Sequence, residues 1–191
     1  MPSSQHSFRE KCVSMLANLW NAPSGFFGAA TTGSSEAVLL GGLAMKRQWQ
    51  LQHPCHLNSR PNVIIGANAH ICVTKVANYF DVEARIVPVS EKSGYSFDLE
   101  GLEDRLDENT SMNSHLKVSF FLVVYADFLT IVGVFLTLGS TYTGHYDPIQ
   151  QVSRVLDEYE HQTGNNIPIH VDAASGGFIA PFTPSNTNFI W

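Results

Sequence analysis

Two groups of residues in this sequence have the types and the setting to do chemistry. Asp172 follows the apolar stretch 167–171 and precedes a run of small residues. Burying a carboxylate there is unfavourable unless a cation or hydrogen-bond donors meet it. The alternative is an Asp that only caps the next turn, and the stretch alone leaves both interpretations open.

The second group is the serine pair Ser34 and Ser35, far upstream of the carboxylate. They follow Gly33, where a helical pattern begins that we expect to run to about Trp49. The first N–H groups of a helix have no intrahelical acceptor, so with two hydroxyls they form a ready anion site. The alternative is an ordinary Ser N-cap, which is common.

Strand and helix patterns alternate along the rest of the chain. We predict helices at 8–20, 34–49, 67–80, 98–106 and 148–162, and strands at 62–65, 84–89, 132–138 and 167–171. This order predicts an α/β fold with a mostly parallel sheet and flanking helices. Loops after parallel strands gather at one edge, so the serine pair, His70, Thr141 and Asp172 are expected to meet in one cleft.

Local signals add detail to these elements. The first helix should bury one face, formed by Phe8, Cys12, Met15, Leu16 and Leu19. The helix after the first strand should turn Ile71, Val76, Tyr79 and Phe80 inward. We also predict Asp147 as a helix N-cap before Pro148, and Gly164 as the stop of that helix.

A single small molecule would use all the cleft residues: a flat, phosphorylated heteroaromatic with a basic ring nitrogen. Its phosphate would lie on Ser34 and Ser35, His70 would stack on its ring, and Asp172 would pair with the protonated nitrogen. Pyridoxal 5'-phosphate has this chemistry and acts as an electron sink.

Composition limits the classes of partner. The 191 residues suggest one domain, and a net charge of −6 with 11 Lys and Arg argues against nucleic acid and anionic membranes. Three cysteines without a CxxC pair, and no secretory signal, predict a reduced, cytoplasmic setting. Residues 118–138 are long and apolar enough to make a membrane span the minority alternative, weakened by Asp127. We predict no metal site, since residues 53–56 complete no zinc pattern.

Several motifs carry a family resemblance, in the same order along the chain. They are TTGSSEAVLLGGLAMKR at 31–47, GANAHIC at 66–72, YFDVEAR at 79–85, DENT at 107–110, GSTYTGHY at 139–146 and IHVDAASGGF at 169–178. With these motifs the sequence resembles the pyridoxal-phosphate-dependent group II amino-acid decarboxylases, and most closely the glutamate decarboxylases.

The resemblance implies part of the large domain of a fold-type I enzyme that decarboxylates L-glutamate to 4-aminobutyrate as a homo-oligomer. It implies that Ser34 and Ser35 hold the cofactor phosphate and that Asp172 pairs with the pyridine nitrogen. Thr141 and Ala174 would line the ring, and His70 would stack on it. Glutamate decarboxylases often carry Gln at that last position, so a sibling decarboxylase acting on another amino acid is an alternative.

Three departures from the family bear on activity. No Lys follows Lys117, whereas the family forms its Schiff base through a Lys beyond the Asp. The family's N-terminal segment is expected to be missing, and residues 111–131 interrupt a place where the family runs directly into a strand. We therefore expect 1–191 to be a partial cofactor-binding domain, non-catalytic by itself, with an exposed apolar face and sheet edge. Translated intron sequence would explain the interruption, and sequencing the transcript tests this.

Overall fold

A four-stranded parallel sheet organises the described part of the chain. The computed structural model describes residues 4–54, 61–110 and 131–183. The strands are β1 (Asn62–Gly66), β2 (Glu83–Val87), β3 (Ile131–Thr137) and β4 (Ile169–Asp172), and they lie in the order β2-β1-β3-β4. Every pairing between neighbours is parallel. The predicted α/β class with a parallel sheet is confirmed.

Five helices accompany this sheet in the described ranges. They are α1 (Ser4–Leu19), α2 (Ser34–Gln52), α3 (Ile71–Tyr79), α4 (Leu99–Thr110) and α5 (Ile149–Thr163), and two short 3-10 turns follow at Gly176–Phe178 and Ala180–Phe182. Gly164 ends α5 with φ 77°, in the left-handed region that favours glycine, as predicted. The helix at the serine pair begins at Ser34 as predicted, and it extends three residues beyond Trp49.

The two faces of the sheet are covered by different helices. Buried side chains of α2 and α3 pack on one face, and those of α4 and α5 pack on the other. β1 and β3 are therefore buried on both faces, which explains their nearly continuous apolar sequences. The chain leaves β1 toward one edge of the sheet and leaves β3 toward the other. In open parallel sheets, ligands bind where the connections diverge in this way.

Two predicted helix faces need correction. In α3 the side chains of Ile71 and Tyr79 are 63% and 65% exposed, whereas Cys72, Val73, Val76 and Ala77 are buried. The predicted inward face is right at Val76, which is buried, and at Phe80, which packs against the same core, and it is wrong at Ile71 and Tyr79. In α1, Phe8, Met15 and Leu16 are exposed within the described residues, so that predicted face packs in neither core.

The apolar run at 118–138 is only partly described. Its last residues form β3, whose seven residues are all buried in the sheet. The earlier part of the run, with most of the interruption at 111–131, lies outside the described residues. No helix in the described ranges has the length and apolarity that a bilayer crossing requires.

Candidate cofactor site

Asp172 is the last residue of β4 and lies beside the end of β3. It pairs with Thr137 in the sheet, and its carbonyl accepts a 2.9 Å hydrogen bond from the amide of Leu138. Its side chain is buried. One carboxylate oxygen accepts from the Ala174 amide at 3.2 Å, and the other lies 3.9 Å from the Cys72 thiol that donates to it. Both donors are neutral, so the charge of this carboxylate is only lightly compensated.

The serine pair lies at the start of α2 and is exposed. Gly33 is the N-cap, and no side chain caps this end within the described residues. The backbone N–H and hydroxyl of Thr32 donate to the Glu36 carboxylate at 2.6 and 2.7 Å, and these bonds lower the pKa of Glu36. Glu36 thus fixes the turn before the helix, and Ser34 and Ser35 lie exposed in its first turn, where the backbone N–H groups have no intrahelical acceptor.

Cys72 lies between the serine pair and the carboxylate. Its thiol donates to Asp172, and the Ser35 side chain lies close enough to this thiol to affect its pKa. Burial and, after it, the charge of Asp172 raise the pKa of this thiol, against a smaller lowering from Ser35. The two ends of the predicted ligand site therefore lie beside one side chain, that of Cys72.

His70 lies beside this group as the N-cap of α3. Its Nδ1 accepts a hydrogen bond from the Cys72 amide at 3.3 Å, and its ring is partly buried. Ala174 is exposed just beyond Asp172. His70 and Ala174 thus accompany Asp172, as the sequence predicts. Their contacts with a cofactor ring remain predictions.

Thr141 lies on the turn that follows β3. It is exposed and forms no hydrogen bond with Ser35, Cys72 or Asp172. Its neighbour Ser140 ties this turn to the loop after β1, because the Ser140 hydroxyl donates to the carbonyl of Asn68 at 3.4 Å. The structure therefore brings this turn to the edge of the sheet where Asp172 lies, but it does not bond Thr141 to Ser35, Cys72 or Asp172.

His170 packs behind the carboxylate, on the side of α2. Its ring centroid lies 5.1 Å from that of Phe135, and its imidazole occupies the space that a side chain on Gly41 would need. Burial lowers the pKa of His170, and the charge of Asp172 opposes that shift. This neutral ring supports α2 and β4, in agreement with the predicted core role.

Asp147 is the main feature that sequence reasoning misassigned. α5 begins at Ile149 after Pro148, and no side chain caps it within the described residues, so the predicted N-cap is wrong. The buried Asp147 carboxylate instead accepts from the Asn68 side chain at 2.7 Å and from the amides of Phe97 and Thr137 at 3.0 and 2.6 Å. Asn68 and Phe97 are 79 and 50 residues away in sequence, so no local sequence pattern predicts these hydrogen bonds.

Comparison with known proteins supplies the context for this site. The family profile described as "Pyridoxal-dependent decarboxylase conserved domain" matches residues 6–189. Glutamate decarboxylase of Saccharomyces cerevisiae is 41% identical over 181 residues, which cover 91% of this chain and 27% of that protein. Glutamate decarboxylase 3 of Arabidopsis thaliana is also 41% identical, over 91% of this chain and 32% of its own length.

Solved structures agree on the fold. Glutamate decarboxylase of Lactobacillus brevis superimposes with a TM-score of 0.77 at 32% identity, covering 95% of this chain and 37% of its own. A Burkholderia pseudomallei sphingosine-1-phosphate lyase shares the fold with a TM-score of 0.71 at 20% identity, covering 93% of this chain and 35% of its own. The chain thus spans about a third of the length of these proteins. Because the family profile covers nearly all of it, this chain belongs to the pyridoxal-dependent decarboxylases.

Proposed function

We propose that this chain is the cofactor-binding part of an enzyme that decarboxylates an acidic amino acid, L-glutamate to 4-aminobutyrate and carbon dioxide. The observation that carries the proposal is that Ser35, at a helix N-terminus, and the buried carboxylate of Asp172 both lie beside Cys72, whose thiol donates to Asp172. The substrate is proposed from the relatives named above, which are glutamate decarboxylases.

The residues fit pyridoxal phosphate at both of its charged ends. Exposed hydroxyls and first-turn amides at Ser34 and Ser35 suit a phosphate dianion. Asp172 is a buried carboxylate with one amide donor and one thiol donor, and it forms no ion pair within the described residues. A cationic ring nitrogen would compensate its charge at low cost, because the carboxylate is already desolvated.

Each proposed role follows from the chemistry of its side chain. When bound, pyridoxal phosphate supplies an electron sink for the electron pair left by departing carbon dioxide. Asp172 holds the proton on the ring nitrogen, because an adjacent negative charge favours the protonated form. Ser34 and Ser35 fix the phosphate, so the ring cannot rotate away from the carboxylate. Ala174 leaves room for one face of the ring, and His70 and Thr141 lie near enough in the fold to line it.

A second candidate substrate class rests on His70. The family resemblance implies that sibling decarboxylases carry His at this position, so another amino acid is the alternative substrate. Carbon dioxide release by a full-length version of this sequence separates the two. We expect release from L-glutamate to exceed release from aromatic amino acids and from cysteine sulfinate, and the reverse order would overturn the glutamate assignment.

For the chain of 191 residues, we propose cofactor binding without turnover. The sequence has no Lys after Lys117, and thus none beyond Asp172 where the family's attachment residue is expected. Assembly into a homo-oligomer and a cytoplasmic location are proposed for a full-length version of this sequence.

Binding can be tested with pyridoxamine 5'-phosphate, which keeps the phosphate and ring nitrogen but has no aldehyde to react with surface lysines. Titration calorimetry should show saturable binding by the chain. Asp172→Asn should weaken it by about 10- to 100-fold, as expected for one hydrogen bond to a charged group. Asp157→Asn, on the exposed side of α5, is the matched control and should change nothing. Equal affinity for all three proteins would overturn the role of Asp172.

Turnover requires a separate measurement. The chain is incubated with pyridoxal phosphate and carboxyl-labelled L-glutamate, and part of the sample is reduced with borohydride for peptide mapping. We expect no released label and no single modified lysine. A uniquely pyridoxylated lysine together with released carbon dioxide would overturn the proposal that the 191-residue chain does not turn over.

A further inference from the structure

Cys72 is hydrogen-bonded with two of the six residues assigned to the cofactor and lies beside a third. Its thiol donates to the Asp172 carboxylate at 3.9 Å, and the Ser35 side chain lies close enough to this thiol to lower its pKa. Its backbone amide donates to Nδ1 of His70 at 3.3 Å. The three partners come from β4, α2 and the start of α3, so one buried residue links the elements that carry the phosphate, the ring nitrogen and the ring face.

We propose that Cys72 is a positioning residue for the cofactor, which orients the Asp172 carboxylate and couples it to the phosphate-binding start of α2. This inference rests on the function proposed above. Cys72 itself is not expected to touch the reacting atoms, because its side chain is 1% exposed and lies behind Asp172 and Ser35.

The thiol suits this position because it stays protonated. Burial and the neighbouring carboxylate raise the pKa of Cys72, so at neutral pH its S–H donates and no second negative charge competes for the cationic ring. A thiol is also a weak donor. It can therefore fix the direction of one carboxylate oxygen while leaving the charge of Asp172 for the ring nitrogen.

The competing explanation is that Cys72 is only a small apolar side chain of the core. It does belong to the buried cluster under α2 and α3, with Val73 and Val76 among its members. The two explanations differ in what serine would do at this position. Serine keeps a donor but is a poorer apolar filler than cysteine, so a packing role predicts that serine is no better than alanine.

Affinity for pyridoxamine 5'-phosphate decides between these roles. We expect Cys72→Ala to weaken binding by about 5- to 10-fold, as for loss of one ordinary hydrogen bond, since the thiol is a weak donor, and Cys72→Ser to stay within about 3-fold of the parent. Cys12→Ser, on exposed α1, is the matched control and should bind as the parent does. Unchanged affinity of Cys72→Ala, or equal losses with Ala and Ser, would overturn the positioning role.

A second readout needs no cofactor and remains informative if the alanine variant does not fold. The 13Cβ chemical shift of Cys72 in cysteine-labelled protein reports its titration, and Asp172→Asn should move that titration to lower pH because one of its causes is removed. The signal of Cys12 provides the internal reference. An unmoved Cys72 titration would show that thiol and carboxylate are not coupled and would overturn the inference.

The two proposals fail in different ways. If the parent chain and Cys12→Ser bind pyridoxamine 5'-phosphate but Cys72→Ala binds equally well, cofactor binding stands and the role of Cys72 falls. If the parent chain shows no saturable binding, the proposed function falls, and with it the positioning role.

Discussion

Asp147 and Asp172 are both buried carboxylates at the carboxyl edge of the sheet, yet their donors differ in number and strength. Asp147 accepts three hydrogen bonds of 2.6–3.0 Å, shared between its two oxygens. Asp172 accepts one amide bond of 3.2 Å and one thiol contact of 3.9 Å. Burial therefore does not distinguish these two carboxylates, whereas the number and strength of their hydrogen-bond donors do.

The donors of Asp147 also explain what it does for the site. They belong to the loop after β1, the segment before α4 and the end of β3, so this carboxylate ties together the connections around the point where the chain directions diverge. Asp172 instead lies at the end of the neighbouring strand β4 with weak partners. The hydrogen bonds of Asp147 hold the surrounding loops in place, whereas the weakly bonded carboxylate of Asp172 is the one proposed to pair with a cation.

The largest effect is expected from Asp147→Asn. Asparagine has one acceptor oxygen, so its NH2 group would face at least one of the three donors. We expect the free energy of unfolding to fall by about 3 kcal/mol, the cost of losing hydrogen bonds to a buried charge and leaving donors unsatisfied. Urea denaturation followed by circular dichroism measures it. Asp157→Asn should stay within about 0.5 kcal/mol, and an equal loss at Asp147 and Asp157 would contradict the structural role.

The same exchange at Asp172 is the matched comparison. Removing a buried charge that has only two neutral donors should change the free energy of unfolding of the cofactor-free chain by less than about 1 kcal/mol, or even raise it. A loss at Asp172 as large as that at Asp147 would remove the distinction between the two carboxylates.

The next largest expected change in stability concerns Gly41, which packs against His170 behind Asp172. In Gly41→Ala the new methyl would overlap the imidazole of His170. Overpacking costs about 1–3 kcal/mol, while replacing a helical Gly by Ala gains about 1 kcal/mol. We therefore expect a net loss of about 1 kcal/mol in the free energy of unfolding, measured by urea denaturation.

A double variant tests whether the overlap between the methyl added at position 41 and the His170 imidazole causes this loss of stability. In a His170→Ala background the space opens, so Gly41→Ala should become neutral or stabilising through helix propensity. If Gly41→Ala costs as much without the imidazole as with it, the close approach of α2 to β4 is not the cause.

Much of this arrangement was predictable because its signals are local. Apolar β-branched runs predicted β1 and β3, the serine pair predicted the start of α2, and Gly164 predicted the end of α5. The gathering of Ser35 and Asp172 at one edge followed from the alternating order of strands and helices, which restricts the topology strongly.

What could not be predicted depends on contacts distant in sequence. Cys72 reaches Asp172 across 100 residues, and Asp147 meets Asn68 across 79. The Asp-Pro pair before α5 has the local signature of a cap, but three donors from elsewhere compete for the same carboxylate. The face of α1 was predicted from periodicity alone, and periodicity does not say whether a partner covers it.

The smallest effect is a pH dependence that reports on the charge of Asp172. Because burial lowers the pKa of His170 below 6.5, the unfolded chain binds a proton at this residue before the folded chain does. The stability contributed by neutral His170 is therefore full above about pH 6.5 and is lost as the pH falls from there toward its lower folded pKa. Urea midpoints between pH 7.5 and 5.5 should decline more steeply for the parent than for His170→Gln, which shares every other histidine.

Asp172 supplies the sign test for this effect. Its charge opposes the lowering, so Asp172→Asn should lower the pKa of His170 further and extend the loss of stability to lower pH. The remaining groups packed on this ring, Phe135 and Gly41, carry no charge and cannot imitate that change. Parallel curves for the parent and His170→Gln would mean that this imidazole is not buried neutral. An unchanged curve for Asp172→Asn would mean that the charge of this carboxylate does not affect the pKa of His170. The proposal that this lightly compensated charge attracts the cofactor's ring nitrogen would then lose its support.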